Sequence, residues 1–271
     1  EAVSAPLPSL TVYRNIYEHN REHLEDIALE YFGHKTSYGK LFDETERCAK
    51  ALKAAGVKLG DRVTLVTAGV PEAVYLVLAC SKIGAVANFI NPLFTTEQMV
   101  DRINDTEAEL LFVLDRMYPY IAEAIDRTCV KRVIVITATG SLPAAVRALA
   151  ALKDKPDAAL KAVMRQEKYC SWLEFIDVGS RRGGALPLLP TDTEAPYEKD
   201  RPVVMVYSSG TTGASKGIVL TNDGINATIA HYQSPEFPYE RGNTFLQIIP
   251  AWFSTGIVLS VLMPLCLGIS V

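Results

Sequence analysis

The chain has 271 residues, 49% hydrophobic and 21% charged, proportions that allow a sizeable core and exclude a disordered or low-complexity protein. Lysine and arginine number 27 against 31 aspartates and glutamates, a formal charge of −4, so nothing global points to nucleic acid or an anionic membrane surface. The five cysteines (Cys48, Cys80, Cys129, Cys170, Cys266) are scattered, odd in number and without a CxxC pair; neither a disulfide framework nor a zinc knuckle is expected, and a reducing cytoplasm is the simplest location.

Residues 1–9 lack a signal-peptide layout. Apolar spacing predicts a helix over residues 15–31, and a second from about Gly39 to Ala55 stopped by Gly56. Gly60-Asp61 turns into a strand over 62–67. Pro71 opens a helix where its missing N–H costs nothing, and Gly84 closes it. A strand over 85–90 follows. Thr95 and Gln98 fit a capping box at the start of the next helix. A strand over 110–114, a helix over roughly 117–128 and a strand over 132–137 complete the regular part. Repeated β-α-β units predict an α/β fold, a mainly parallel sheet with helices on both faces. Residues 141–176 read as less regular, with at least one helix near 143–153, and the Gly- and Pro-rich stretch 178–202 reads as an extended connection between subdomains. The expected organisation is a first α/β subdomain over 1–190 and the start of a second over 191–271.

After Arg241 no charged residue occurs through Val271. Such a run could span a bilayer, which needs about 20 residues. Asn243, Gln247, Pro250, Ser254, Thr255 and Pro264 divide it, so a strand, a loop and a buried helix are expected instead, with no membrane span. An uncovered apolar run suits a fragment, and self-association through that truncated edge, or only marginal stability, is expected.

The densest chemical signal follows the strand 203–207: Ser208, Ser209, Gly210, Thr211, Thr212, Gly213, Ala214, Ser215, Lys216 and Gly217, with a second strand over 218–220. Glycines let a backbone close on an anion, and hydroxyls and a lysine add donors and charge. A phosphate chain is the natural guest; a solvated polar hairpin is the competing reading. A Walker A loop fits poorly, because Ser215 stands where its second Gly belongs and Gly217 where Ser or Thr would bind Mg²⁺.

Tyr207 to Gly217 closely resembles the phosphate loop of the AMP-forming adenylating enzymes, [YT]-[TS]-S-G-T-T-G-x-P-K-G, with Ser215 replacing the usual proline. That superfamily includes acyl-CoA synthetases, peptide-synthetase adenylation domains and firefly luciferase. The likeness covers nearly the whole chain. Thr36 to Leu41 resembles T-Y-x-E-L, and Gly60-Asp61-Arg62-Val63 matches G-D-R-V. Gly84, Ala85, Asn91 and Pro92 fit the G-A…N-P stretch, and Pro250 to Gly256 resembles P-L-F-H-x-x-G, followed by Pro264-Leu265 and Gly268. Phe253 stands where a histidine is common.

The resemblance implies the truncated N-terminal domain of an adenylate-forming enzyme. In that reaction a carboxylate attacks the α-phosphorus of ATP to give acyl-AMP and pyrophosphate, and a thiol, usually of CoA, then takes the acyl group. ATP, Mg²⁺ and CoA are the implied co-substrates, and a carboxylic acid, fatty in the simplest reading, is the substrate. Lys216, Thr211 and Thr212 are the implied catalytic residues, with Ser208, Ser209, Gly210 and Gly213 completing the nucleotide loop. Trp252, Phe253 and Gly256 would line the acyl site, and core packing is the alternative for the two aromatics. No metal ligand is assigned within the chain. The N-x-Y-G-x-T-E segment, ribose-binding Asp, hinge and adenylation lysine of the family have no counterpart here, so this chain is expected to be inactive alone. A carrier-protein acceptor and a non-catalytic nucleotide-binding domain are the alternatives.

Two further patterns carry less. His19-Asn20-Arg21-Glu22-His23 fits H-x-x-E-H, which on a helix would place both imidazoles on one face; a solvated helix face is the plainer reading. His231, on a helix expected over 223–232, reads as a structural histidine. No G-x-S-x-G occurs to make Ser208 or Ser209 a hydrolase nucleophile.

Overall fold

The computed structural model describes residues 7–153, 158–182, 194–208 and 216–271. The helix α1 (Val12–Asn20) starts at Thr11, whose hydroxyl accepts from the Arg14 amide. It ends sooner than its apolar spacing suggests, because Ile27–Tyr31 (β1) pairs antiparallel with His34–Ser37 (β2). Phe32 and Gly33, both at positive φ, make the turn between them. His23 therefore lies beyond α1 and pairs with Asp26 at 3.8 Å, and the shared imidazole face is not formed.

A seven-stranded sheet runs in the spatial order β7 (Tyr169–Ser171), β6 (Arg132–Ile136), β5 (Leu110–Leu114), β3 (Arg62–Val66), β4 (Val86–Phe89), β8 (Pro202–Tyr207), β9 (Gly217–Thr221). Every neighbouring pair is parallel except β8 with β9. The expected α/β fold is present, and the strands after the Gly- and Pro-rich stretch extend the same sheet as those before it. Side chains alternate across the pleat. Leu65, Phe112 and Ile134 serve a core shared with α2 (Tyr38–Ala54), α3 (Pro71–Ile83) and α8 (Trp172–Arg182). Leu111, Val113, Val133 and Val135 serve a second core under α4 (Thr96–Asp105) and α5 (Tyr118–Ile125).

The local signals behave as read. Thr95 and Gln98 cap α4 reciprocally, and Gly84 ends α3 in the left-handed region. The less regular stretch proves more ordered than expected. It holds α6 (Ala144–Lys153), α7 (Ala158–Val163), β7 and α8, and α8 runs to Arg182, into the stretch read as an extended connection. It persists there because Phe175, Ile176 and Gly179 are buried, with Gly179 directly against the backbone of Ala51 in α2.

The segment leading into β8 is anchored before the strand begins. The Ala195 amide donates to Lys82 O at 2.7 Å, and the Glu194 carboxylate pairs with Arg14. Lys82, 2% exposed, lies 3.2 Å from Glu46 and 3.9 Å from Glu194. Burying an ammonium is costly unless such partners accompany it.

After β9 comes α9 (Asn222–Tyr232). The uncharged run then forms α10 (Ser254–Ile257), which continues through a π-helical stretch (Val258–Leu262) into α11 (Met263–Cys266). Pro264, lacking an N–H, cannot donate to the preceding turn. Among the described residues no helix is long and apolar enough to cross a membrane.

Candidate active site

Strand order reverses at β3: β4 lies on one side of it, β5 to β7 on the other. In open parallel sheets the crevice beyond the carboxyl ends of the strands at such a point is where ligands bind. The segment read from sequence as a phosphate loop follows β8 at that end of the sheet. Gln247, in the uncharged run, packs against Gly69, just after β3.

The hairpin is held at its neck. The Ser208 amide donates to Lys216 O at 3.1 Å, closing the segment between them. Gly217 lies under the Met205 side chain, and a Cβ there would collide with the Met205 methyl. Lys216 is exposed and has no ion-pair partner among the described residues. Ser209, Gly210, Thr211, Thr212 and Gly213 lie outside the described residues. The far end of the hairpin is stitched to the rest of the molecule. Asn222 Oδ1 accepts from the Val12 amide at 2.9 Å. The Asp223 carboxylate accepts from the Tyr197 hydroxyl and the Asp200 amide, each at 2.7 Å. The Tyr197 hydrogen bond is the main cause of its lowered pKa.

One constellation has no counterpart in the sequence motifs. Tyr207, the residue before the loop, donates its hydroxyl to Asn88 Oδ1 at 2.9 Å. Asn88 is fully buried in β4, and its amide donates to the hydroxyls of Thr64 and Thr106, each at 3.3 Å. The Tyr207 ring meets Phe94 edge-on at 6.3 Å, and the Arg102 guanidinium lies over both rings, at 5.3 Å and 4.3 Å. Burial pushes the Tyr207 phenol up to about 12, so it stays a neutral donor across the physiological range. The one available sequence signal was Asn88 itself, an amide alone in an apolar strand. Arg102 and Tyr207 also line a groove of about 910 Å³ between α4 and β9.

The second predicted group lies on the turn into α10. The Phe253 amide donates to Pro250 O at 3.1 Å, and the Ile257 amide to Phe253 O at 3.0 Å. Gly256 is buried with the Pro250 carbonyl directly against it, leaving no room for a Cβ. Its role here is close backbone approach. Trp252 is half-buried against the larger core, with an indole N–H that has no partner among the described residues. Phe253 is 45% exposed, its ring 6.3 Å from Trp252. His231 sits in α9 with its ring against Tyr232 and Phe237. Among the described residues no three His, Cys, Asp or Glu side chains converge as a metal site.

A family model described as "AMP-binding enzyme" matches residues 16–271. Acetyl-coenzyme A synthetase of Rhizobium meliloti (strain 1021) is 29% identical over 256 residues, 86% of this chain and 35% of that protein. The Bartonella henselae acetyl-coenzyme A synthetase is 28% identical over 276 residues, 94% and 38% of the two chains. This chain thus spans little more than a third of these relatives. Among solved structures, the anthranilate CoA ligase AuaEII in complex with anthranoyl-AMP superposes with a TM-score of 0.74 at 21% identity, covering 100% of this chain and 46% of that one. A red-emitting luciferase from Phrixothrix hirtus superposes with a TM-score of 0.72 at 19% identity, covering 96% and 45%.

Proposed function

Because this chain belongs to the AMP-binding enzyme family, we propose that it supplies the phosphate-holding loop and part of the acyl wall of an AMP-forming acid–thiol ligase. In this reading a carboxylate attacks the α-phosphorus of ATP, the bond to the bridging oxygen breaks, and pyrophosphate leaves. CoA thiolate then displaces AMP from the acyl carbon. The first nucleophile is already an anion, so catalysis rests on position and on neutralising the leaving pyrophosphate. Lys216 would supply positive charge to that group. Thr211, Thr212, the Ser208 hydroxyl and the remaining donors of Ser209, Gly210 and Gly213 would supply hydrogen bonds. Trp252 and Phe253 would face an apolar acyl group, a fatty acid among the candidates, and neither can titrate near neutral pH. Mg²⁺, when bound with ATP, would share the negative charge of the leaving pyrophosphate. Chemistry by this chain alone is not expected.

The observation that supports this most is the β8–β9 neck. Tyr207, Ser208 and Lys216 are held at the carboxyl end of a parallel strand, where an anion-binding segment would be displayed. The test is ATP–pyrophosphate exchange by the full-length protein over a panel of aliphatic, aromatic and amino acids, with this chain in parallel. Exchange by the full-length protein alone is expected, and Lys216→Ala should slow it roughly 10- to 1000-fold, the usual cost of one charge-stabilising donor. No exchange with any acid would overturn the reading, and an unchanged Lys216→Ala rate would remove Lys216 from the chemistry.

A further inference from the structure

Arg102 is 7% exposed, permanently charged and without a carboxylate partner among the described residues. Its Nε makes no hydrogen bond there, and Nη1 donates to Gln98 O one turn back in α4. Burying a guanidinium this way is costly, and a packed apolar side chain would fill the space more cheaply. What the charge adds is direction. It sits over the faces of Phe94 and Tyr207, where an aromatic quadrupole attracts a cation most strongly when water is excluded.

Resting on the adenylating reading, we propose that Arg102 is a positioning residue for the phosphate loop, acting through Tyr207. The Tyr207 ring is fixed at three points: its hydroxyl on Asn88, its edge on Phe94 and its face under Arg102. Ser208, the next residue, carries the amide that closes the loop neck on Lys216. Pinning the ring limits displacement of the Tyr207 backbone, to which that amide is bonded. Arg102 thus couples the α4 scaffold to the hydrogen bond that closes the loop neck.

Arg102→Met and Arg102→Lys, made in the full-length protein, are read in two ways. Without nucleotide, hydrogen–deuterium exchange at the Ser208 amide should speed up in Arg102→Met and return towards wild type in Arg102→Lys. Exchange across β5 and β6 should not change, which a general loss of stability would not allow. In pyrophosphate exchange, KM for ATP should rise about five- to thirtyfold in Arg102→Met, the equivalent of a desolvated cation–π contact, while KM for the acid stays within about twofold. Should Arg102→Met not fold, Phe94→Leu removes one ring from the guanidinium and must give the same loop-confined effect at smaller amplitude. Unchanged loop exchange in the folded variant overturns the proposal, whether or not the wild type turns over. A wild type that exchanges no pyrophosphate overturns only the adenylating reading, and the loop-exchange result then decides the role of Arg102.

Discussion

Glu72 is the second residue of α3, 5% exposed, with the Ser141 hydroxyl donating to it at 2.7 Å. Burial outweighs that hydrogen bond and lifts its pKa above the ordinary 4.5. The folded state therefore holds the proton more tightly than the unfolded chain. Its stabilising contribution is fully present below about pH 4.5 and is lost as pH rises through the folded pKa. Glu72→Gln should accordingly be more stable than wild type at pH 7, with the gap closing at pH 4, as read by urea denaturation at both values; an equal gap at the two would refute this. At this scale the sequence told only part of the site. Ser208 and Lys216 stood out because hydroxyls, glycines and a lysine crowd one short stretch. Arg102 did not, and Asn88 did so only as a lone amide in an apolar strand, because their meaning comes from Tyr207, far along the chain, and no periodicity announces that meeting.

Among the elements, the contact of α8 with α2 is the most exacting. A methyl at Gly179 would be driven into the Ala51 backbone, which cannot retreat as a flexible side chain can. Gly179→Ala should cost about 1–3 kcal/mol, the usual range for overpacking, measured as a lower denaturation midpoint with an unchanged slope. An unshifted midpoint would mean that the two helices slide apart freely. Helix ends set by local chemistry were legible: the Thr95–Gln98 box, Pro71 and Gly84 each behave as their side chains dictate. The β1–β2 hairpin was not, because its few apolar residues also fit helical spacing, and only the Phe32-Gly33 turn and the pairing across it decide. Likewise α8 was masked by nearby glycines and prolines and is held by burial against α2.

For the whole molecule, the parallel α/β class followed from alternating strand and helix signals, whereas the strand order depends on pairings that no local pattern encodes. Leu246 and Ile248 are each 78% exposed, and Ile218 and Val219 lie exposed on the edge strand β9. Such surfaces drive association. The 271-residue chain by itself should show an apparent mass in light scattering that rises with concentration; a constant monomer mass would count against it. One long-range contact also sets a timetable. Tyr207 meets Asn88 across 119 residues, so the strand leading into the proposed phosphate loop can dock only after a large chain closure, onto a sheet edge far earlier in the chain. High contact order of this kind makes docking slow. On the proposed reading, nucleotide affinity would then be among the last properties to appear during refolding, and its onset would serve as a clock for completion of the sheet.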